Sequence, residues 1–316
     1  MSINLKYGFL LYGKIAFVLS FMLFSSCSSS VKNFDDRLHK KYEKKGFESA
    51  ILAVDDHKIF YYDNQKETQK PAILFIHGFG GDGKVSWFKQ VKDFYEDYRV
   101  IVPDLLWFGN SYSSAQPTLM SQIGAMNTLL QELNVDKVHV VGISYGGFIA
   151  LGMAKEYPEL LSSLVIVNSP GAVIKDEEID RFCRDVGVRD VKEAFIPKDA
   201  AGVKRLLDFS FYKKPLIPSR LLDQVLETYF SKHPEQQAQL LDELPSNRGR
   251  MSGGIDVPAK IIWGIEDEIF HVYDAYALKK EIGAELKVIK KAGHALPGEQ
   301  PKAFNEALRV FIDGIN

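Results

Sequence analysis

The sequence predicts an α/β fold: a mostly parallel central sheet flanked by helices. Short, near-continuous apolar runs rich in Ile and Val recur along the chain, as "PAILFIHG", "YRVIVPD", "KVHVVGIS" and "LSSLVIVNS". Helix-like stretches alternate with them, as "SWFKQVKDFYEDY", "TLMSQIGAMNTLLQEL" and "YGGFIALGMAKEYPE". Strands apolar on both faces and separated by amphipathic segments need a parallel sheet covered on both sides. The length of 316 residues, 46% hydrophobic and 25% charged, suits one large domain or a domain carrying an insertion.

The N-terminus stands apart. "MSINLKYGFLLYGK" carries Lys6 and Lys14 and no acid, "IAFVLSFMLF" is a short apolar run, and "SSCSSS" follows. A positive segment, an apolar segment and small residues at its end predict a secretory signal over 1–26. A membrane-spanning helix needs about 20 apolar residues, more than remain after Lys14, although apolar residues before Lys14 keep a span as the alternative. The segment resembles a bacterial lipoprotein signal, with Ser25 and Ser26 before Cys27 and Phe24 where leucine is usual. That resemblance implies cleavage before Cys27, lipid attachment at Cys27, and a place in the bacterial cell envelope, anchored to a membrane. With two cysteines in the chain, a lipidated Cys27 leaves Cys183 without a disulfide partner.

Residues 27–46 are polar and charged and read as a tether with a short helix. "FESAILAVDDHKIFYYDN" contains two β-like runs around Asp55 and Asp56, a hairpin signal. The core is expected over 47–171 and 257–316, where "AKIIWG" and "ELKVIKK" supply late strands and "PKAFNEALRVFIDGI" a closing helix. Between them, 172–256 has no clear β run and many charged and helix-forming residues. It is expected to form a helical cap over the carboxyl edge of the sheet, where open α/β folds place ligands.

Near-neutral charge, 39 basic against 41 acidic residues with no long basic run, argues against nucleic-acid binding. No Cys/His cluster has metal-ligand spacing. The chemistry concentrates elsewhere. In Gly142-Ile143-Ser144-Tyr145-Gly146 an apolar run ends and a helical stretch begins around one serine. Such a turn mounts a nucleophile in a strained conformation, with glycines giving clearance. It also puts the Tyr145 amide at a helix N-terminus, where it can donate to an oxyanion.

A serine nucleophile needs a base, and His294 in "KKAGHALPGEQP" follows the last apolar run; His271 is the rival. His139 lies in a β run and reads as structural, whereas His39, His57 and His233 read as surface. The base needs an orienting carboxylate. Asp267 in "IIWGIEDEIF" is the first choice, with Glu266 and Glu268 as alternatives.

The order Ser144, Asp267, His294 resembles that of the α/β-hydrolase superfamily. "IHGFGG" resembles its oxyanion loop, which implies the Phe79 amide as partner to that of Tyr145, with His77 structural. "VPDLLWFGNS" is similar to a family loop at Asp104, Leu105, Gly109 and Ser111, but has Leu106 and Trp107 in place of Pro-Gly. Trp107 is read equally as pocket wall or as packing. The Leu-Leu-Trp-Phe-Gly loop and the cap segment resemble membrane-associated monoacylglycerol lipases. The resemblance implies a serine hydrolase of lipophilic carboxylic esters, acting without metal or organic cofactor on a small-molecule ester. Two competing readings are hydrolysis of a carbon–carbon bond by the same triad, and a non-catalytic envelope binding protein.

Overall fold

A computed structural model describes residues 30–65 and 70–315. Cys27 and the 1–26 segment lie outside the described residues.

The strands are β1 (Glu48–Val54), β2 (His57–Asp63), β3 (Ala72–Ile76), β4 (Arg99–Pro103), β5 (Tyr112–Ser113), β6 (Val138–Ile143), β7 (Leu161–Val167), β8 (Ala259–Gly264) and β9 (Glu285–Ile289). They form one sheet in the order β1-β2-β4-β3-β6-β7-β8-β9, with β5 beside β2. β1 and β2 make the antiparallel hairpin expected around Asp55-Asp56. From β4 through β3 to β9 the pairing is parallel. The topology matches the predicted α/β class, and the continuous apolar runs are explained by burial on both faces.

Alternation along the strands divides the core into two layers. Leu74, Ile76, Val140, Leu164 and Ile166 face one cluster, joined by Phe148 and Trp263. Ile73, Phe75, Val141, Val165 and Val167 face the other, which holds Trp87, Phe94 and Phe304. The flanking helices before β7 are α1 (Val31–Glu43), α2 (Gly83–Phe94), α3 (Leu119–Glu132) and α4 (Tyr145–Glu156). α2 begins before the Ser86 read from the sequence because Asp82 caps it, accepting from the Val85 amide at 2.7 Å. Thr118 and Ser121 cap α3 reciprocally.

Between β7 and β8 the described chain is helical and holds no strand: α5 (Asp176–Val186), α6 (Val191–Phe195), α7 (Ala200–Ser210), α8 (Ser219–Tyr229), α9 (Pro234–Glu243) and α10 (Arg248–Met251). These helices enclose an apolar cluster of their own, including Phe182, Phe209 and Phe230. α8 is tied to α1: Gln224 Oε1 accepts from the Val31 amide at 3.0 Å, and the Tyr229 hydroxyl donates to Asp35 at 3.1 Å. After β8 come α11 (Val272–Ile282), α12 (Leu296–Glu299) and α13 (Pro301–Asp313).

α5 meets α11 through two carboxyl groups. Burial and the neighbouring Glu178 push the Asp274 carboxyl up to about 7. Glu178 Oε2 is buried with no donor among the described residues, and Asp274 is within hydrogen-bonding reach of the Glu178 side chain. An acid whose folded pKa is raised contributes stability below its unfolded pKa, near 3.9, and loses it as pH rises through the folded value. The thermal midpoint is therefore expected to fall as pH rises from about 4 to about 7. Asp274→Asn keeps a donor toward Glu178 and should flatten that fall; an unchanged slope in a melting series would contradict this contact.

Candidate active site

β6 ends at Ile143 and α4 begins at Tyr145, so Ser144 is the single residue between strand and helix. Its backbone sits at φ 54, ψ −121, a region that side chains rarely occupy. Two glycines make that turn fit. A Cβ on Gly142 would lie 2.1 Å from the Gly146 carbonyl oxygen, and one on Gly146 would lie 2.4 Å from that of His77. The Gly78-Phe79 loop after β3 runs alongside: a Cβ on Gly78 would stand 2.9 Å from that of Ser144. The Phe79 ring meets Tyr145 edge-on at 5.6 Å and Phe108 at 5.0 Å.

His294 lies in the loop between β9 and α12. Its Nδ1 is 2.8 Å from Asp267 Oδ2. Asp267 Oδ1 accepts from the amides of Ile269 and Phe270 at 2.9 and 3.1 Å. The carboxylate is thus fixed at both oxygens, in the loop after β8. The neighbouring acids and His271 are placed differently. Glu266 Oε2 accepts from the Ala292 amide at 3.0 Å, bracing the histidine loop, and Glu268 is exposed. His271 is exposed at the start of α11, stacked on Tyr273.

Ser144, His294, Gly78 and Phe79 line one cavity of about 1690 Å³. Part of its apolar wall comes from the segment between β7 and β8, including Phe195, Leu206, Ile217 and Phe230, with Ile269 from the loop after β8. Asp267 sits behind His294. Trp107 is fully buried and is not part of the lining, so the packing alternative holds for it. It takes φ 66, where the resemblance leads one to expect glycine, and its Nε1 donates to the Ser113 carbonyl at 3.0 Å.

The remaining histidines separate into three environments. His77 is buried; its Nδ1 faces the Gly78 carbonyl and its Nε2 accepts from the Leu105 amide at 2.9 Å. Burial lowers its pKa to about 4, so it stays neutral and ties the Gly78 loop to the loop after β4. His139 is buried in β6 against Ser163, the structural role expected of it. The surface reading of His39, His57 and His233 needs correction. All three are half-buried: His39 meets the Tyr62 hydroxyl at 2.7 Å, His57 meets Ser113 Oγ at 2.8 Å, and His233 packs on the Tyr112 ring. Polar neighbours in sequence did not reveal partners 23 and 56 positions away.

One further residue beside the site carries no signal in the sequence. Asn168, just after β7, is fully buried with φ 45. Its Nδ2 donates to the carbonyls of Gly293 and His294 at 2.9 and 3.0 Å, and its Oδ1 accepts from the Gly264 amide at 2.8 Å. One amide side chain therefore joins the ends of β7 and β8 to the histidine loop. An aspartate there offers no donor to either carbonyl and brings a charge among them. Asn168→Asp is expected to lower kcat by roughly tenfold or more through misplacement of His294, and to lower the melting temperature. Wild-type kcat in the folded variant would contradict this bracing role.

Residues 71–301, well over half of the chain, match the family model described as alpha/beta hydrolase fold. The chain is 29% identical over 286 residues to Lipase 3 of Moraxella sp. (strain TA144), covering 84% of each. It is 24% identical to a human monoacylglycerol lipase, covering 96% of this chain and 91% of that protein. A crystal structure of a bacterial membrane phospholipase A superposes with a TM-score of 0.74 at 21% identity, covering 90% of this chain and 92% of the other, a likeness of fold. A serine between β6 and α4, a buried His–Asp pair after β9 and β8, and a family match spanning all three lead to one conclusion: the chain belongs to the alpha/beta hydrolase fold family.

Proposed function

We propose that this chain, an esterase- or lipase-like hydrolase, cleaves lipophilic carboxylic esters such as monoacylglycerols through an acyl-enzyme on Ser144. The observation that carries the reading is the His294–Asp267 pair at 2.8 Å, with His294 and Ser144 on one largely apolar cavity. Asp267 holds the His294 Nδ1 proton, which leaves Nε2 to take the proton of Ser144 as its Oγ adds to the ester carbonyl. The amides of Phe79 and Tyr145 donate to the oxyanion as charge develops on it. His294 then returns the proton to the departing alcohol, and water, activated by the same imidazole, releases the acid. Neither step calls on a metal or an organic cofactor.

In this reading the helices over 172–256 are a cap whose apolar wall takes the acyl chain, and Cys27 carries a lipid that holds the chain on the bacterial cell envelope. A series of nitrophenyl esters and monoacylglycerols tests the substrate class. Turnover rising with acyl length supports it, whereas preference for a β-diketone ring-cleavage product would move the assignment to carbon–carbon hydrolysis. Cys27→Ser is expected to abolish incorporation of labelled fatty acid in cells and to impair signal removal. Normal labelling of that variant would end the lipoprotein reading.

A further inference from the structure

The cavity holding Ser144 and His294 extends to a wall of a different character. α1 places Arg37 and Lys41 one turn apart, beside Val31, Phe34 and Leu38, and Lys45 follows just past its end; all six line the cavity. Lys92 of α2 and Lys302 of α13 also line it. Burial, and then the nearby charges of Arg37 and Lys92, lower the pKa of Lys41, so three cations from two helices share one electrostatic neighbourhood. Asp93 and Glu306 are the acids on this wall, and Asp93 already accepts from the Asn305 amide. The local excess is positive in a chain of net charge −2. Cations concentrated beside apolar side chains, in the same cavity as a nucleophile, suit a ligand whose two ends differ in the same way.

We propose that the substrate is an amphiphile with an anionic, phosphate-like head group. The acyl chain lies among the apolar residues, the ester carbonyl stands at Ser144, and the head group is held by Arg37, Lys41 and Lys92. This rests on the ester-hydrolase reading, because that reading puts the scissile bond at Ser144.

The test uses Ser144→Ala protein, low ionic strength and ligands below their aggregation concentration, so that no bilayer or micelle contributes. Calorimetry compares decyl phosphate, the neutral decyl glucoside and inorganic phosphate. Decyl phosphate is expected to bind about tenfold or more tightly than decyl glucoside, with the preference shrinking in 0.5 M salt. Lys41→Glu combined with Lys92→Glu should remove the preference. Lys41→Gln with Lys92→Gln should weaken it, and serves if the double reversal lowers the melting temperature. Equal affinities for the two amphiphiles, or a preference undiminished in the glutamine pair, would overturn the proposal. Inorganic phosphate binding as tightly as decyl phosphate would overturn it too, in favour of a free-anion site. Turnover of 1-decanoylglycerol and its 3-phosphate by the wild type separates the two readings. No turnover of either removes the ester hydrolase reading, whereas turnover of both without preference removes the head-group proposal alone.

Discussion

Replacing Ser144 by alanine is expected to lower ester turnover by roughly 10⁶-fold, the scale at which loss of a triad nucleophile abolishes its reaction. The fold should survive, because alanine keeps the Cβ and the turn clearance comes from Gly142 and Gly146. The same position reports strain. With φ 54 and ψ −121 the serine sits where glycine is at ease. Ser144→Gly should therefore be as inactive as Ser144→Ala and yet more stable, by about 1 kcal/mol after the larger chain entropy of glycine is allowed for. Turnover within tenfold of wild type in Ser144→Ala would place the nucleophile elsewhere. Equal melting temperatures for the two variants would contradict the strained turn.

Asp267→Asn is expected to lower kcat by roughly 10⁴-fold with the fold intact. The direction follows from the carboxylate's surroundings. Oδ1 accepts from two backbone amides, Ile269 and Phe270, so an asparagine must keep its carbonyl there. Its NH₂ then faces His294 Nδ1, where a donor meets the imidazole that Asp267 had oriented. The ring is held in the wrong tautomer, with its proton on Nε2 facing the serine. Glu266→Gln should act differently, since Glu266 Oε2 accepts from the Ala292 amide and has no contact with the imidazole. Its effect should be a modest loss through the histidine loop, and Glu268→Gln should leave kcat near wild type. A kcat profile in which Glu266→Gln or Glu268→Gln falls as far as Asp267→Asn would contradict the assignment.

What could be read from the sequence, and what could not, divides along the range of the interactions. Strands β3, β4, β6 and β7 announce themselves because burial on both faces leaves a local apolar run. Ser144 is legible because the turn chemistry around it is complete within five residues. His294 and Asp267 are legible as loop residues after late strands, yet only the fold singles out Asp267 among three adjacent acids. Asn168 had no signal of its own, since its partners Gly264, Gly293 and His294 lie 96 to 126 positions away. Asp104 is legible as a loop position, but its surroundings are not: burial and the nearby Asp82 push its carboxyl up to about 8 while it accepts from the Gly83 and Asn110 amides. Trp107 shows the opposite limit. Its left-handed backbone could be suspected from the glycine it replaces, but its side chain was placed by packing that no local pattern encodes.

The central claim is that Ser144 is a nucleophile activated by His294 and Asp267, and covalent labelling tests it most directly. Folded wild-type protein treated with a fluorophosphonate should carry one adduct, mapped by peptide mass spectrometry to Ser144. The adduct should be absent in Ser144→Ala and slow to form in Asp267→Asn. A folded wild-type protein that takes no label, or takes it at another residue, would contradict the account.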